Sequence, residues 1–116
     1  MRLGSWDDVA AFSLTLPGTE TATYYGDTAI KVAANGRPVV TPSREDGSFV
    51  LHIDHDTKAM LIETDPVTFW QTPHYEGWAG LLVCYASDDP ERVAAMIERA
   101  RDQAAKKKPA APRKTK

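Results

Sequence analysis

The chain has 116 residues, of which 42% are hydrophobic and 26% are charged, and its formal net charge is −2. This balance excludes a disordered chain, and the length fits one globular domain. The single cysteine, Cys84, excludes an intramolecular disulfide, and no stretch approaches the roughly 18 apolar residues of a membrane span. Together with an N-terminus that lacks an apolar signal segment, these features predict a cytoplasmic protein that does not contact membranes.

The charge is unevenly distributed along the chain. Residues 1–105 contain all 16 acidic residues and carry a net charge of −8, whereas residues 106–116 contain six basic residues and no acid. The second segment consists only of Lys, Arg, Pro, Ala and Thr, so it cannot bury apolar surface. We therefore predict a folded domain at residues 1–105 and a disordered basic tail at residues 106–116.

The first half of the chain predicts one helix and a run of strands. Ser5 and Asp8 resemble a capping box, and Pro17 ends the helix that they begin. Asn35-Gly36 is a hairpin signal between two of the strands that follow. Pro38 predicts an edge position for its strand, because proline has no N–H to donate to a ladder. The strands are expected at residues 21–25, 28–33 and 37–41.

The second half of the chain predicts two further helices separated by strands. Residues 48–53 alternate in hydropathy, which indicates a strand. A short helix is expected at residues 57–63, with Asp56 as its N-cap and with Ala59, Met60 and Ile62 on its apolar side. Residues 69–72 and 78–85 read as strands. Asp89 and Pro90 begin a final helix, whose apolar stripe consists of Val93, Met96, Ile97, Ala100 and Ala104.

The order of these elements predicts an α+β fold. Neighbouring strands joined by hairpin turns indicate an antiparallel sheet of about five to six strands. The N-terminal and C-terminal helices are expected to pack on one face of this sheet, and the short middle helix is an addition to that arrangement.

Five segments occur in an order and at a spacing that resemble the MmcQ/YjbR family of small bacterial proteins. The segments are Leu16-Pro17-Gly18-Thr19-Glu20, Tyr24-Tyr25-Gly26-Asp27, Ile30-Lys31-Val32, Arg44-Glu45-Asp46-Gly47 and Phe69-Trp70-Gln71-Thr72-Pro73-His74-Tyr75-Glu76-Gly77-Trp78. The resemblance covers about residues 5–105. It implies a compact double-wing fold like that of CyaY proteins, and a DNA-binding label that rests on fold analogy.

The sequence contains no pattern typical of a catalytic or metal site. The segment from His52 to Asp56 holds two histidines and two carboxylates, but no further Cys or His lies at ligand spacing. A solvated strand end that leads into a helix cap is the favoured explanation of this segment. There is no nucleophile elbow, glycine-rich phosphate loop or dinucleotide fingerprint. We therefore expect a non-enzymatic protein without a metal or cofactor.

Two binding hypotheses remain open. The first is non-specific association of a monomer or weak homodimer with DNA, because lysine-rich tails neutralise phosphates without reading sequence. Its residues would be Lys31, Arg37 and Arg44 on the sheet and Lys106, Lys107, Lys108, Arg113, Lys114 and Lys116 in the tail. The alternative is a small-molecule or peptide-binding module that uses an aromatic cleft. Its residues would be Tyr25, His74, Tyr75 and Trp78.

Overall fold

The structure, a computed structural model, describes residues 1–24 and 26–109. Within these residues the fold comprises three helices and six strands, together with one short 3-10 helix at Pro73–Tyr75. In chain order these are α1 (Trp6–Leu14), β1 (Thr19–Tyr24), β2 (Asp27–Val32), β3 (Pro38–Pro42), β4 (Ser48–Leu51), α2 (His55–Thr64), β5 (Phe69–Trp70), β6 (Leu81–Cys84) and α3 (Pro90–Ala105). The predicted α+β class is confirmed.

The six strands form one antiparallel sheet in the order β1-β2-β3-β4-β6-β5. Helices α1 and α3 contact each other and pack against β2 and β3. The main core lies between these helices and the sheet. Phe49, Leu51 and Ile53 point into it, as their alternation predicts.

Side chains at the intervening positions of the strands point to the opposite side of the sheet, which we call the open face. On β4 and the residue after it, these are Val50 and His52. The strand register places Thr41 beside Val50 on the open face. Thr21 pairs with the core residue Ile30, so Tyr24, three residues further along β1, points to the open face.

The N-terminal caps of α1 and α3 are the residues that the sequence predicts. Ser5 Oγ accepts a hydrogen bond from the backbone N–H of Asp8 at 3.2 Å, and the N–H of Gly4 donates to Asp8 Oδ2 at 3.0 Å. The Asp89 carboxylate accepts from the N–H of Arg92 at 3.1 Å. The bonds from Asp8 and Arg92 satisfy N–H groups that a helix start leaves without an intrahelical partner, and the bond from Gly4 ties the preceding residue to α1.

The prediction for α2 is wrong in its cap and in most of its buried side, although Ile62 does pack against the core. The N-cap is Asp54, whose carboxylate accepts from the N–H of Thr57 at 3.0 Å, so the helix begins at His55. Its buried residues are Thr57, Lys58 and Leu61, whereas Ala59 and Met60 are exposed. The segment has little amphipathic pattern of its own, and packing against the rest of the fold decides which side is buried.

The prediction that Pro38 lies on an edge strand is also wrong. β3 lies between β2 and β4, and the edges of the sheet are β1 and β5. Pro38 is the first residue of β3, and it sits where the register with β2 shifts between Ile30 and Lys31. A strand start beside a bulge is a position at which the missing N–H of proline is tolerated in an interior strand.

Candidate functional site

A cleft of about 490 Å³ lies on the open face, and we call it the aromatic cleft. Its sides are formed by three segments that are far apart in sequence. Two of these are the β1–β2 and β3–β4 connections, which lie at the same end of the antiparallel sheet. The third is the segment 71–80 between β5 and β6, which places Tyr75 and Trp78 at the cleft. Val50 and Thr41 contribute to the cleft from the sheet itself.

Five rings follow one another along the open face and past the cleft. The rings of Tyr24 and His52 are 5.6 Å apart and those of His52 and Trp78 are 5.3 Å apart, measured between centroids. Trp78 lies 5.3 Å from Tyr75, which in turn lies 4.9 Å from His74. All four pairs are tilted or edge-to-face, the arrangements that aromatic quadrupoles favour. Trp78 remains 38% exposed, so its indole offers surface to a ligand.

His52 is the second ring of this row, between Tyr24 and Trp78, and it is neutral. Its Nε2 lies 3.1 Å from Thr41 Oγ1, within hydrogen-bonding distance. Burial, with a smaller contribution from the nearby charge of Lys107, lowers the pKa of His52 from 6.5 to about 3. The imidazole therefore serves as an uncharged packing surface beside Trp78 at physiological pH.

The segment that carries Tyr75 and Trp78 is held in place by Lys58 of α2. Lys58 is only 6% exposed, and its Nζ donates to the carbonyl oxygens of Tyr75 at 2.6 Å and of Trp78 at 2.7 Å. Burial lowers the pKa of Lys58, while Glu76 acts in the opposite direction. Sequence reasoning missed this residue. The sequence does contain an indication of its burial. Lys58 lies three residues before Leu61, and residues at this spacing share one side of a helix.

Gly80 makes room for the indole of Trp78. A Cβ atom at Gly80 would lie 2.5 Å from Cζ3 of Trp78 and 3.3 Å from the carbonyl oxygen of Leu51. A glycine in an apolar strand suggests that another group approaches its backbone closely. Here that group is the indole ring of Trp78, and Gly80 lies just before β6. Lys58 and Gly80 together define where Trp78 stands relative to the cleft.

The remaining polar lining of the cleft carries charges of both signs. Asp27 comes from the β1–β2 connection, and Arg44 and Glu45 come from the β3–β4 connection. The second turn is braced on both sides of these residues, because the N–H of Glu45 donates to Ser43 Oγ at 2.9 Å and Ser48 Oγ donates to the Glu45 carbonyl at 2.7 Å. Arg44 belongs to the nucleic-acid hypothesis and not to the cleft hypothesis, and sequence reasoning did not single out Asp27 or Glu45.

The three sheet residues of the nucleic-acid hypothesis are not brought together. Arg37 and Arg44 lie just outside opposite ends of β3, whose five residues span about 17 Å. Arg37 Nε donates to the carbonyl oxygen of Lys108 at 2.8 Å. Lys31 lies opposite Glu20 on β1, and its Nζ is 5.5 Å from the ring centroid of Tyr24. Lys31 and Arg44 thus face the open side, whereas Arg37 binds the C-terminal segment.

The C-terminal segment begins against the β2–β3 connection. Asn35 Nδ2 donates to the carbonyl oxygens of Ala104 at 2.8 Å and of Lys107 at 3.1 Å. The side chains of residues 106–108 are exposed. Four residues named in the nucleic-acid and aromatic-cleft hypotheses lie outside the described residues. They are Tyr25, Arg113, Lys114 and Lys116.

Comparisons with known proteins leave the site to be interpreted from its own geometry. No family model, no curated protein and no solved structure matches the chain. Across residues 1–24 and 26–109, no three His, Cys, Asp or Glu side chains converge in a way that could hold a metal ion. None of the helices in the same ranges has the length and apolarity needed to cross a bilayer.

Proposed function

We propose that the protein is a non-enzymatic binding module whose ligand is a small molecule with a flat ring, held in the aromatic cleft. The observation that carries this proposal is the exposed indole of Trp78 beside a cleft of about 490 Å³. Ligand pockets in proteins typically have volumes of about 300–1,000 Å³ and combine aromatic walls with a few convergent polar groups. The cleft has both properties.

The walls of the cleft are held before any ligand arrives. Lys58 binds the backbone of the segment that carries Tyr75 and Trp78, and Gly80 accommodates the indole. His52 supports the inner side of that indole as a neutral ring. A preformed site loses less conformational freedom on binding than one that must be ordered, which favours affinity for a small ligand.

Binding of indole as a probe, followed by two-dimensional NMR, tests this proposal. We expect the signals of Tyr75 and Trp78 to shift during the titration. Replacing Trp78 by alanine is expected to weaken binding about fivefold to a hundredfold, because stacking on an aromatic side chain contributes about 1–3 kcal/mol. Trp70→Phe is the matched control, because Trp70 does not line the cleft. Shifts scattered over the surface and insensitive to Trp78→Ala would contradict the proposal.

Association with nucleic acid is the second candidate function. It is supported by the family resemblance and by the position of the C-terminal segment, since Lys107 lies close enough to His52 to lower its pKa. Phosphates would contact the lysines at residues 106–108 together with Lys31, and bases would stack on Trp78. The net charge of −8 on residues 1–105 opposes this association.

Fluorescence anisotropy with labelled single-stranded and duplex DNA, over a series of salt concentrations, tests the second candidate. Six engaged tail charges would give a log–log salt slope of about −5 on duplex DNA. Replacing the three lysines at residues 106–108 by glutamine in the full chain is expected to reduce that slope by about half. If the open face takes part, Trp78→Ala weakens binding to single strands only. An affinity unchanged by both variants would exclude this role for these residues.

A further inference from the structure

The charged residues of the aromatic cleft define what kind of ring-containing ligand it fits. Asp27, Arg44 and Glu45 all line the cleft. Among residues 1–24 and 26–109, none of their side chains forms an ion pair within 4.0 Å or a hydrogen bond. Two neighbouring turns therefore present one guanidinium and two carboxylates to the same space without pairing them to one another.

These charges have specific complements. A guanidinium presents a planar fork of N–H groups that matches a carboxylate, and a carboxylate accepts hydrogen bonds from an ammonium group. The turn that carries Arg44 and Glu45 is braced by Ser43 and Ser48, so the two charges are presented from a defined backbone. Trp78 supplies aromatic surface in the same cleft.

We infer that the ligand of the aromatic cleft is a small zwitterion with a flat ring, of which a free aromatic amino acid is the simplest representative. The ring lies against Trp78, the carboxylate of the ligand binds Arg44, and its ammonium group binds Asp27 and Glu45. This inference rests on the proposed function of the cleft and adds the charge class of its ligand.

Ligands with charge of only one sign fit less well. A phosphomonoester brings two negative charges towards Asp27 and Glu45, and among the described lining residues Arg44 is the one Lys or Arg side chain that could balance them. A quaternary ammonium compound satisfies the carboxylates and the aromatic surface, but it leaves the guanidinium of Arg44 facing a second cation. A ligand with both charges matches all three side chains at once.

Three probes of similar size separate the contributions of the two charges. Phenylalanine carries both charges, 3-phenylpropionate lacks the ammonium group, and phenethylamine lacks the carboxylate. We would titrate each into the full chain at low salt and follow the signals of the cleft by NMR. Phenylalanine is expected to bind about threefold to fivefold more tightly than either other probe, because a partly exposed ion pair contributes up to about 1 kcal/mol.

Variants assign each charge to its partner. Arg44→Gln is expected to weaken the binding of phenylalanine and of 3-phenylpropionate about threefold and to leave the binding of phenethylamine unchanged. The double change Asp27→Asn and Glu45→Gln is expected to weaken the binding of phenylalanine and of phenethylamine and to leave the binding of 3-phenylpropionate unchanged. Asp46→Asn is the matched control, because Asp46 lies in the same turn but does not line the cleft.

The outcomes separate this inference from the proposed function. If a singly charged probe binds as tightly as phenylalanine and its binding is lost in Trp78→Ala, the cleft is a ligand site but the zwitterion inference is wrong. The inference is also overturned if Arg44→Gln and the double variant of Asp27 and Glu45 change the affinities of all three probes by the same factor. If none of the three probes shifts the cleft signals in a manner sensitive to Trp78 while indole does, the inference fails and the proposed function stands; if indole fails as well, both fail.

Discussion

Replacing His52 by glutamine is expected to make the stability of the protein less sensitive to acid. In the folded state the pKa of His52 lies at about 3, against an ordinary value of 6.5. The unfolded chain therefore binds a proton at this residue between those two pH values, and the folded protein does not. The free energy of unfolding falls as the pH falls through this window, and the full contribution of a neutral His52 is present only above about pH 6.5.

The size of the effect follows from the two pKa values. At 1.36 kcal/mol per pH unit, the drop from 6.5 to about 3 bounds the contribution of His52 at about 5 kcal/mol. Between pH 7 and pH 4, the same two values correspond to a loss of about 3 kcal/mol. Because Lys107 is exposed and its charge is screened, we expect about 2–3 kcal/mol in solution. Glutamine is neutral throughout this range and keeps a group that can bond Thr41 Oγ1.

Urea unfolding at pH 7, 6, 5 and 4 measures this effect. The free energy of unfolding of the native sequence should fall more steeply than that of His52→Gln, and the carboxylates common to both proteins cancel in the difference. His55→Gln and His74→Gln are the controls, because both side chains are exposed. Parallel curves for His52→Gln and the native sequence would refute the burial argument for His52.

Three further substitutions test the packing around the cleft and α2. Lys58→Met is expected to lower the free energy of unfolding by about 2 kcal/mol, because two carbonyl oxygens lose a charged donor, and to lower Tm by about 8–16 °C in calorimetry. Gly80→Ala should displace the indole of Trp78, which a red-shifted emission would report; unchanged emission contradicts the contact. Asp54→Ala should cost about 1 kcal/mol in urea unfolding. Asp56→Ala should cost less than half of that, and equal costs would reject Asp54 as the cap.

The sequence predicts those elements whose signals are local. Ser5 and Asp89 identify two helix starts because the capping bond joins residues three apart in the chain. The alternation of Phe49, Leu51 and Ile53 predicts their common face because side-chain direction in a strand has a period of two. The stripe of α3 is confirmed as well, since Val93, Ile97, Ala100 and Ala104 are buried and Met96 packs against the core.

Predictions that depend on distant parts of the chain are less successful. Pro38 predicts an edge strand when it is considered alone, but a shift in register with β2 places it inside the sheet. In α2 the pattern is too weak to indicate the buried side, and Lys58 is buried because its ammonium group donates hydrogen bonds to two carbonyl oxygens of the segment 71–80. In both places the outcome is set by partners that are not neighbours in sequence.

The sequence by itself determined that this chain folds as an α+β domain, because hydropathy period, capping residues and turn residues act over a few positions. It also singled out His74, Tyr75, Trp78 and Arg44 as candidate binding residues. Only the tertiary structure decided that these side chains share one cleft with Tyr24, Asp27 and Glu45. The physical reason is that the cleft is made by strand pairing and by the return of a distant segment over the sheet, and both arise from contacts between residues far apart in the chain.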